Sequence, residues 1–474
     1  MILALALATV AFALRAFLLR SLPVIDADGV TYVALARQFR ATGSPFDPLF
    51  HPLYPLTIAF AEPLAGDWEL AARLVSAFFG ALVVLPAYAL ARPLLGVEAA
   101  RLAAVLMVVQ PALVRSGTAA MSEAVYAFVL ACGILAAWRA LAGGPRALLG
   151  LAGLLFGLAY LVRPEGVVYL VGLLAVIGVR AATERRRTRE LVGWGGAALV
   201  AFLVVAAPYL LYLRTTFGGL TLSGKVGHNL ALAQGTAALP SPLPLRVFEN
   251  AFLFQKYVLP ELFPGVLVFL VLAGVLARAR RPGWLGRDGV LLAACVPPFG
   301  SLAFHVEARF FVPVLPLLLP FAAAGALWAA AAVVGERRAR LGALVLTLAV
   351  AAALLPYALR PVLRPEPGAG LSRQAAGFID ETQPRDAVLL DRKPFVAFYS
   401  GRRAAPLPRV GPEELVTAAR RAGARLVVLD SRELPFDRPA LLPLVWAAPP
   451  PGLEVLRDFD AAPAARLRIL RVRE

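Results

Sequence analysis

Long apolar blocks separated by short charged loops are the feature that most limits the folds open to this chain. The blocks run approximately over 2–20, 69–91, 99–115, 123–141, 147–162, 166–180, 191–213, 258–278, 289–306, 310–334 and 341–360. A helix that crosses a bilayer needs roughly 20 such residues, with every backbone polar group bonded internally. The pattern therefore predicts an α-helical polytopic membrane protein with about eleven transmembrane helices. The Pro-broken apolar segment 51–64 is too short to cross and is typical of a re-entrant or interfacial segment.

The positions of the basic residues indicate the membrane topology of the chain and argue against nucleic acid as a partner. The formal net charge is +17, but the arginines cluster in short loops and form no continuous basic face. With the amino terminus in the cytoplasm, the Arg-rich loops within 92–101, 139–146, 180–189, 278–287 and 337–340 all fall on the cytoplasmic side. The first apolar block then acts as an uncleaved span, since no basic region precedes it. Cys132 and Cys295 lie in different apolar blocks, so no disulfide framework is expected.

The composition changes after the last apolar block, which predicts two domains, 1–360 in the membrane and 361–474 in water. In the second, Arg385–Asp391 and Ala424–Asp430 are predicted strands, Pro412–Ala422 is a predicted helix and Arg466–Val472 is a predicted closing strand. This pattern indicates a small α/β domain. The loop count places it on the extracytoplasmic side, together with the long loops 22–68 and 214–257.

Two carboxylates directly follow the first span. Asp26 and Asp28 precede Val30–Ala41, an amphipathic segment suited to lying in the membrane interface. Charge placed near hydrocarbon costs a few kcal/mol or more, so such a pair suggests chemistry. The alternative is structural, with Asp28 as a helix cap and Asp26 as ordinary loop polarity.

Several short motifs occur in the order found in one enzyme class. After the Asp pair come Tyr32 with Ala36-Arg37, then His51–Pro55 (HPLYP), Ser122–Tyr126 (SEAVY), Leu161–Gly166 (LVRPEG) and Arg309–Pro313 (RFFVP). Together they resemble the GT-C class of glycosyltransferases, and more closely its bacterial protein-mannosyltransferase and lipid A aminoarabinose-transferase branch. In that branch two adjacent acidic residues are common, whereas here Ala27 separates them, so the roles of Asp26 and Asp28 could be exchanged.

The resemblance implies an inverting hexosyl- or pentosyltransferase of a bacterial inner membrane. It would move a sugar from a polyprenyl-phosphate donor to a lipid, glycan or protein acceptor at the periplasmic face, with membrane lipids around it. The implied roles are a base for Asp26, and acceptor binding or a divalent metal (Mg or Mn) for Asp28, with Glu123 as a third catalytic candidate; the sequence does not decide the metal. The rival hypothesis is a transporter or flippase of lipid-linked saccharides, which would place broken helices at the midplane in two related halves.

Cations on the same side are the candidates for binding the donor phosphate. They are Lys225, His228, Arg246, Lys256, His305 and Arg309. Further site candidates are Tyr32, His51, Tyr54, Arg163 and Glu165. For several of them a structural alternative stays open: interfacial anchoring for Arg163, Glu165 and Arg309, a turn or cap role for His51, and a dipole-favoured carboxylate for Glu123.

Overall fold

The computed structural model describes residues 1–184, 188–225, 242–284, 289–462 and 465–473. They form two compact units, Met1–Leu19 with Tyr32–Leu359 and Arg20–Thr31 with Arg360–Glu474. The first is helical and the second carries a sheet, so the predicted fold class is confirmed. The division into domains 1–360 and 361–474 stays a prediction.

The amino-terminal half of the chain is almost entirely helical. Its helices are α1 Ile2–Leu19, α2 Ala27–Thr42, α3 Leu53–Ala65, α4 Trp68–Leu82, α5 Val84–Leu95, α6 Val97–Val109, α7 Pro111–Ser116, α8 Glu123–Leu141, α9 Ala147–Val162, α10 Gly166–Thr183 and α11 Thr188–Phe217. Local chemistry sets several of the boundaries. Gly66 ends α3 in the left-handed conformation, and the Asp67 carboxylate caps α4 by accepting from the Leu70 N–H over 2.8 Å.

Broken helices follow in the second half of the helical unit. They are α12 Leu243–Leu253, a π-helical turn Phe254–Val258, α13 Leu259–Leu262, α14 Leu267–Ala279, α15 Gly289–Ala294, a 3₁₀ segment Pro297–Ala303, α16 Ala308–Phe311, a 3₁₀ turn Val312–Val314, α17 Leu315–Val334 and α18 Ala339–Ala358. The predicted span 258–278 is wrong at its start. Pro264-Gly265 interrupts the helix, and α14 begins only at Leu267.

Seven helical segments among the described residues are long and apolar enough to cross a membrane. They are Ile2–Leu19, Trp68–Leu95, Glu123–Leu141, Gly166–Thr183, Thr188–Phe217, Ala308–Val334 and Ala339–Ala358. The pair Leu243–Leu262 and Leu267–Ala279, bent by 97°, adds an eighth if it is one broken span. Ala147–Val162 and Gly289–Ala303 are apolar but shorter. The chain is a multi-pass membrane protein, and the number of eleven crossings stays a prediction.

Glycines allow the closest helix contacts. A Cβ on Gly274 of α14 would lie 1.8 Å from the Phe321 carbonyl oxygen of α17, and a Cβ on Gly325 of α17 would lie 2.0 Å from the Leu270 carbonyl oxygen of α14. The two backbones therefore touch at reciprocal positions. Small residues at such contacts are how helices gain packing energy inside a bilayer, where no hydrophobic effect drives them together.

The second unit contains a mixed five-stranded sheet. Its strands are β1 Val388–Asp391, β2 Arg403–Pro406, β3 Leu426–Asp430, β4 Leu453–Ala462 and β5 Ala465–Val472, in the order β2-β1-β3-β5-β4. β1 pairs in parallel with β2 and β3, whereas β5 pairs antiparallel with β3 and β4. The helices are α19 Arg360–Leu363, α20 Leu371–Thr382, α21 Phe395–Ser400 and α22 Pro412–Arg421, with 3₁₀ segments Leu434–Phe436 and Pro439–Val445. The predicted strands β1, β3 and β5 and the predicted helix α22 are confirmed.

The segment Arg20–Thr31 packs against the carboxyl-terminal part of the chain. The Ile25 backbone N–H donates to the Tyr399 hydroxyl over 2.7 Å, and Ile25 itself is buried. The Arg373 guanidinium donates to the Pro23 carbonyl and stands 4.0 Å above the Tyr399 ring. The loop that carries Asp26 and Asp28 is thus fixed by residues near the other end of the sequence.

Candidate active site

A buried ion cluster joins three helices of the membrane unit. Pro164 prevents α9 from continuing, and Arg163 takes an extended conformation before α10 begins at Gly166. Arg163 Nη1 lies 2.8 Å from Glu123 Oε1, at the first residue of α8, and Arg163 Nη2 lies 3.4 Å from Glu165 Oε1. Glu123 is only 2% exposed. The cluster therefore carries one guanidinium against two carboxylates, of which Glu123 is buried and Glu165 keeps 37% of its side chain exposed.

Glu165 and Arg163 each stabilise the charged form of the other. Burial alone would raise the pKa of Glu165, but the neighbouring Arg163 guanidinium lowers that pKa overall. The same carboxylates raise the pKa of Arg163 against the effect of its burial. Arg163 also stands 5.9 Å from the Tyr126 ring centre and 5.6 Å from the Phe310 ring centre. Glu123 Oε2 and Glu165 Oε2 are buried without a hydrogen-bond partner, so each has an acceptor atom to spare.

An aromatic core adjoins this cluster. The Tyr32 hydroxyl donates to Ser122 Oγ over 3.2 Å, one residue before Glu123. The Tyr32 ring packs edge-on against Phe50 at 5.1 Å and against Tyr54 at 4.8 Å. The Tyr54 hydroxyl donates to the Ala72 carbonyl over 3.0 Å. Tyr32 and Tyr54 thus act as packing residues that hold α2, α3 and α4 next to the start of α8.

His51 is a buried structural residue of the same region. Its Nδ1 lies 2.6 Å from the Tyr160 carbonyl, and because a carbonyl only accepts, Nδ1 carries the proton. Burial lowers the pKa of His51 to about 3, so the ring is neutral at physiological pH. A neutral imidazole, packed 4.8 Å from the Tyr209 ring, brings no charge to a phosphate.

Lys225 is the phosphate candidate that the structure brings nearest to the aromatic core. Its ammonium stands 4.4 Å above the Phe50 ring, which contacts Tyr32 on another side. The turn is fixed by the Gly224 N–H, which donates to the Pro48 carbonyl over 3.1 Å. Lys225 therefore places a positive charge against the Phe50 ring, next to the aromatic core.

His305 and Arg309 form a second charged group around Glu307. His305 Nε2 lies 2.6 Å from Glu307 Oε1, and Arg309 pairs with the other oxygen. Burial alone would raise the pKa of Glu307. The hydrogen bond with His305 and the Arg309 guanidinium lower this pKa to about 2, so the carboxylate stays ionised. The Phe310 ring lies 5.5 Å from the Arg309 guanidinium and 5.6 Å from that of Arg163, and so separates the two groups.

The remaining phosphate candidates are not brought into this cluster. Arg246 donates to the Ala303 carbonyl over 3.5 Å, two residues before His305. Lys256 stands over the rings of Phe252 and Tyr257 in its own segment, at 5.9 and 4.9 Å. His228 lies outside the described residues.

The Asp pair belongs to the other unit. Asp26 is exposed, and its carbonyl accepts from the Val30 N–H over 3.0 Å, which opens α2. Asp28 is half-buried and lies in the first turn of α2, where a carboxylate is favoured by the helix dipole. Among the residues that the structure describes, no three His, Cys, Asp or Glu side chains converge as metal ligands, so we derive no step from a metal.

Sequence reasoning missed a charged residue inside the first span. Arg15 is fully buried in α1, donates from Nη1 to Ala11 and from Nη2 to the Leu113 carbonyl over 3.2 Å, and leaves Nε without a partner. The absence of side chains at Gly80 and Gly117 makes room for it, because a Cβ on Gly117 would lie 2.5 Å from Arg15 Nε. A lone Arg in an apolar block was the signal available in the sequence.

Comparison with known proteins gives the helical bundle a family context. The family model described as dolichyl-phosphate-mannose-protein mannosyltransferase matches residues 47–212. The undecaprenyl phosphate-alpha-4-amino-4-deoxy-L-arabinose arabinosyl transferase of Pseudomonas aeruginosa is 33% identical over 171 residues. That match covers 32% of this chain and only 30% of the length of the relative.

The solved structures extend the likeness to the whole chain. ArnT from Cupriavidus metallidurans bound to undecaprenyl phosphate aligns with a TM-score of 0.63 at 16% identity, over 99% of this chain and 98% of that one. This chain has the GT-C fold. A second GT-C structure, the oligosaccharyltransferase AglB of Archaeoglobus fulgidus with an inhibitory peptide and a dolichol-phosphate, aligns over 93% of this chain and 72% of its own length with a TM-score of 0.56. The GT-C resemblance drawn from the short motifs is therefore confirmed, and the matched family region contains His51, Tyr54, Glu123, Arg163 and Glu165.

Proposed function

We propose that this chain is an inverting glycosyltransferase that moves a sugar from a polyprenyl-phosphate donor to a lipid, glycan or protein acceptor. The observation that carries the proposal is the buried Glu123–Arg163–Glu165 cluster within a GT-C fold. Burying a carboxylate as deeply as Glu123 costs free energy of folding, and such charged groups cluster at functional sites. The similar structures add support, since one is a crystal structure with bound undecaprenyl phosphate and another is a complex with a dolichol-phosphate.

Asp26 is the proposed base. In the transfer, the acceptor hydroxyl or amine attacks the anomeric carbon while the bond from that carbon to the phosphate oxygen breaks, and the bonding electron pair leaves with the phosphate. The Asp26 carboxylate takes the proton that the acceptor loses. A single displacement of this kind inverts the configuration of the sugar. We assign Asp28 to binding the acceptor. The transfer assay described below distinguishes a hexose donor from a pentose donor.

Lys225 is the proposed principal ligand of the leaving phosphate, with Arg309 as a second cation and His305 as a neighbouring hydrogen-bonding side chain. Arg163 is less suited to that role because Glu123 and Glu165 already outweigh its charge. We assign Arg163 to shaping the site, with its two carboxylates holding it in place. Phosphate departure is helped by a cation that reaches the phosphate oxygens, and Lys225 lies beside Phe50 at the aromatic core.

The proposed location is the periplasmic face of a bacterial inner membrane, with the amino terminus in the cytoplasm and the sheet-bearing unit in the periplasm. The arginine distribution supports this orientation. So does the contact of Arg278 with the Leu94 carbonyl at 2.9 Å, which joins two loops that the sequence assigns to the same side.

The test is transfer of radiolabelled sugar from a panel of synthetic polyprenyl-phosphate sugars, in membranes carrying the wild type, Asp26→Asn or Asp67→Asn. Asp67→Asn is the matched control, because Asn caps the start of α4 as well as Asp does. We expect transfer with the wild type and Asp67→Asn, and none with Asp26→Asn. Undiminished transfer by Asp26→Asn would remove Asp26 from the mechanism, whereas no transfer by a folded wild type from any donor would favour a transporter of lipid-linked saccharides.

A further inference from the structure

A cleft of about 220 Å³ opens where three helices of the membrane unit meet, among the loops that the sequence assigns to the cytoplasm. One wall is the turn Pro93–Gly96, which joins α5 to α6. The other wall is the end of α14 and the turn after it, with Arg278, Arg281, Pro282 and Trp284. The cleft is distinct from the Glu123–Arg163–Glu165 cluster and plays no part in the proposed transfer reaction.

The described residues that line the cleft carry two guanidiniums and no carboxylate. Arg278 is 9% exposed and donates to the Leu94 carbonyl over 2.9 Å, which fixes its side chain between the two walls. Arg281 is exposed, and its backbone N–H donates to the Arg278 carbonyl over 2.9 Å. Both arginine side chains therefore project from the same turn. The acidic residue nearest in sequence on the first wall, Glu98, pairs with Arg101 at 3.2 Å.

The start of α6 adds to the positive potential. Gly96 is its N-cap and has no side chain with which to satisfy the first backbone N–H groups. Its φ of +99° is accessible to glycine, and a Cβ there would meet nothing within 4 Å, so the space beside it is open. Free N–H groups and the positive end of the helix dipole both favour an anion.

The surface leading away from the cleft is apolar. On α14, Phe269, Leu272 and Leu276 are 67%, 54% and 63% exposed, at a spacing that places them along one side of the helix. This stripe ends at Arg278, and Trp284 beyond it is an amphipathic side chain of the type found at membrane interfaces. The arrangement fits a molecule with an anionic head and hydrocarbon chains.

We infer that this cleft binds the phosphate of an anionic phospholipid, with the Arg278 and Arg281 guanidiniums on the headgroup and the acyl chains along Phe269, Leu272 and Leu276. Guanidinium forks match phosphate oxygens in pairs, which a diffuse basic surface does not do. Basic pockets between transmembrane helices at the cytoplasmic side are suited to such headgroups.

The test is native mass spectrometry of the full chain in detergent, titrated with phosphatidylglycerol or with phosphatidylcholine. Arg281→Gln removes one cation from the cleft. Arg280→Gln is the matched control, since Arg280 is the adjacent exposed arginine but stands over Trp328 at 5.7 Å. We expect preferential retention of phosphatidylglycerol, weakened about fivefold by Arg281→Gln and unchanged by Arg280→Gln, in line with ~1 kcal/mol per basic residue near an anionic surface.

Three outcomes would overturn the inference. Equal retention of phosphatidylcholine would show that binding is not selective for anionic lipid. An equal loss of phosphatidylglycerol binding in Arg281→Gln and Arg280→Gln would show that diffuse surface charge, and not the cleft, binds the lipid. Inorganic phosphate that binds as tightly as phosphatidylglycerol would identify a soluble anion in place of a lipid. Thermal unfolding of both variants checks that they are folded.

Discussion

Arg163 Nη1 lies 2.8 Å from Glu123 Oε1, across 40 residues of sequence, and this contact links the turn between α9 and α10 to the first residue of α8. We expect Arg163→Met to destabilise the chain by about 3–5 kcal/mol, because it leaves the buried Glu123 carboxylate and the half-buried Glu165 carboxylate without their cation. Unfolding by SDS in mixed micelles measures the change. Arg101→Met, in the exposed pair with Glu98, should cost about 1 kcal/mol or less. Equal costs for the two variants would show that the cluster is not effectively buried.

Lys225→Gln tests the proposed phosphate ligand. Loss of one charge-assisted hydrogen bond, worth about 1.5–3 kcal/mol, should lower kcat/KM for the donor roughly 10–100-fold. Lys256→Gln is the matched control, because Lys256 stands over rings of its own segment. The measurement is the initial rate of sugar transfer against donor concentration. If the two lysine variants behave alike, Lys225 is not the ligand of the donor phosphate.

Gly274→Ala tests the backbone contact between α14 and α17. The added methyl group would lie 1.8 Å from the Phe321 carbonyl oxygen, so the helices must separate, at a cost of about 1–3 kcal/mol or more. Gly172→Ala, in α10 with open space around its Cβ position, should be neutral or stabilise by up to about 1 kcal/mol. Thermal unfolding in detergent ranks the two. A Gly274→Ala variant as stable as Gly172→Ala would contradict the close approach.

Asp391 makes the stability of the sheet-bearing unit depend on pH. Burial raises the pKa of Asp391 well above its usual range, the nearby Asp430 and Glu433 raise it further, and backbone N–H groups of Val396 and Lys393 act against the rise. The folded state therefore binds this proton more tightly than the unfolded chain does. The Asp391 contribution to stability is fully present below the ordinary pKa of an aspartate and is lost as the pH rises through the raised folded value.

Asp391→Asn should remove this dependence and make the unit at least as stable as the wild type at neutral pH. Unfolding of the full chain, followed across a pH series, measures the effect. Asp386→Asn is the control, because Asp386 lies just before the other end of β1 and its side chain is 76% exposed. If the stability of the Asp391→Asn variant still depends on pH in the same way, the dependence arises from another titratable group.

Periodicity and hydropathy predicted most of the architecture. Every apolar block contains helix, although 258–278 and 289–306 are interrupted. Strands β1, β3 and β5 were found because buried strands form short apolar runs with clear ends. β2 was missed because Arg403–Pro406 is a mostly exposed edge strand. β4 was missed because its charged residues, such as Arg457 and Asp458, interrupt the apolar pattern.

The candidate site was predictable only as a set of residue types. Short motifs drew attention to Tyr32, Glu123 and Arg163, but nothing local in the sequence shows that Arg163 bonds to Glu123. Arg15 was missed because hydropathy averaged over α1 conceals a single charge. Its accommodation depends on Gly80 and Gly117, two glycines on other segments that become neighbours only in the fold.

The hydrogen bond from Ile25 to Tyr399 has a consequence for biosynthesis. The two residues are 374 positions apart, so at roughly 5–20 residues per second the ribosome needs about 20–75 s after Ile25 to make its partner. During that interval the Asp26–Asp28 loop lacks the contact that fixes it in the finished protein. The first acidic residues to emerge are thus among the last to reach their final positions. A nascent chain stopped before Tyr399 would carry a complete set of predicted spans with an unfinished Asp26–Asp28 loop.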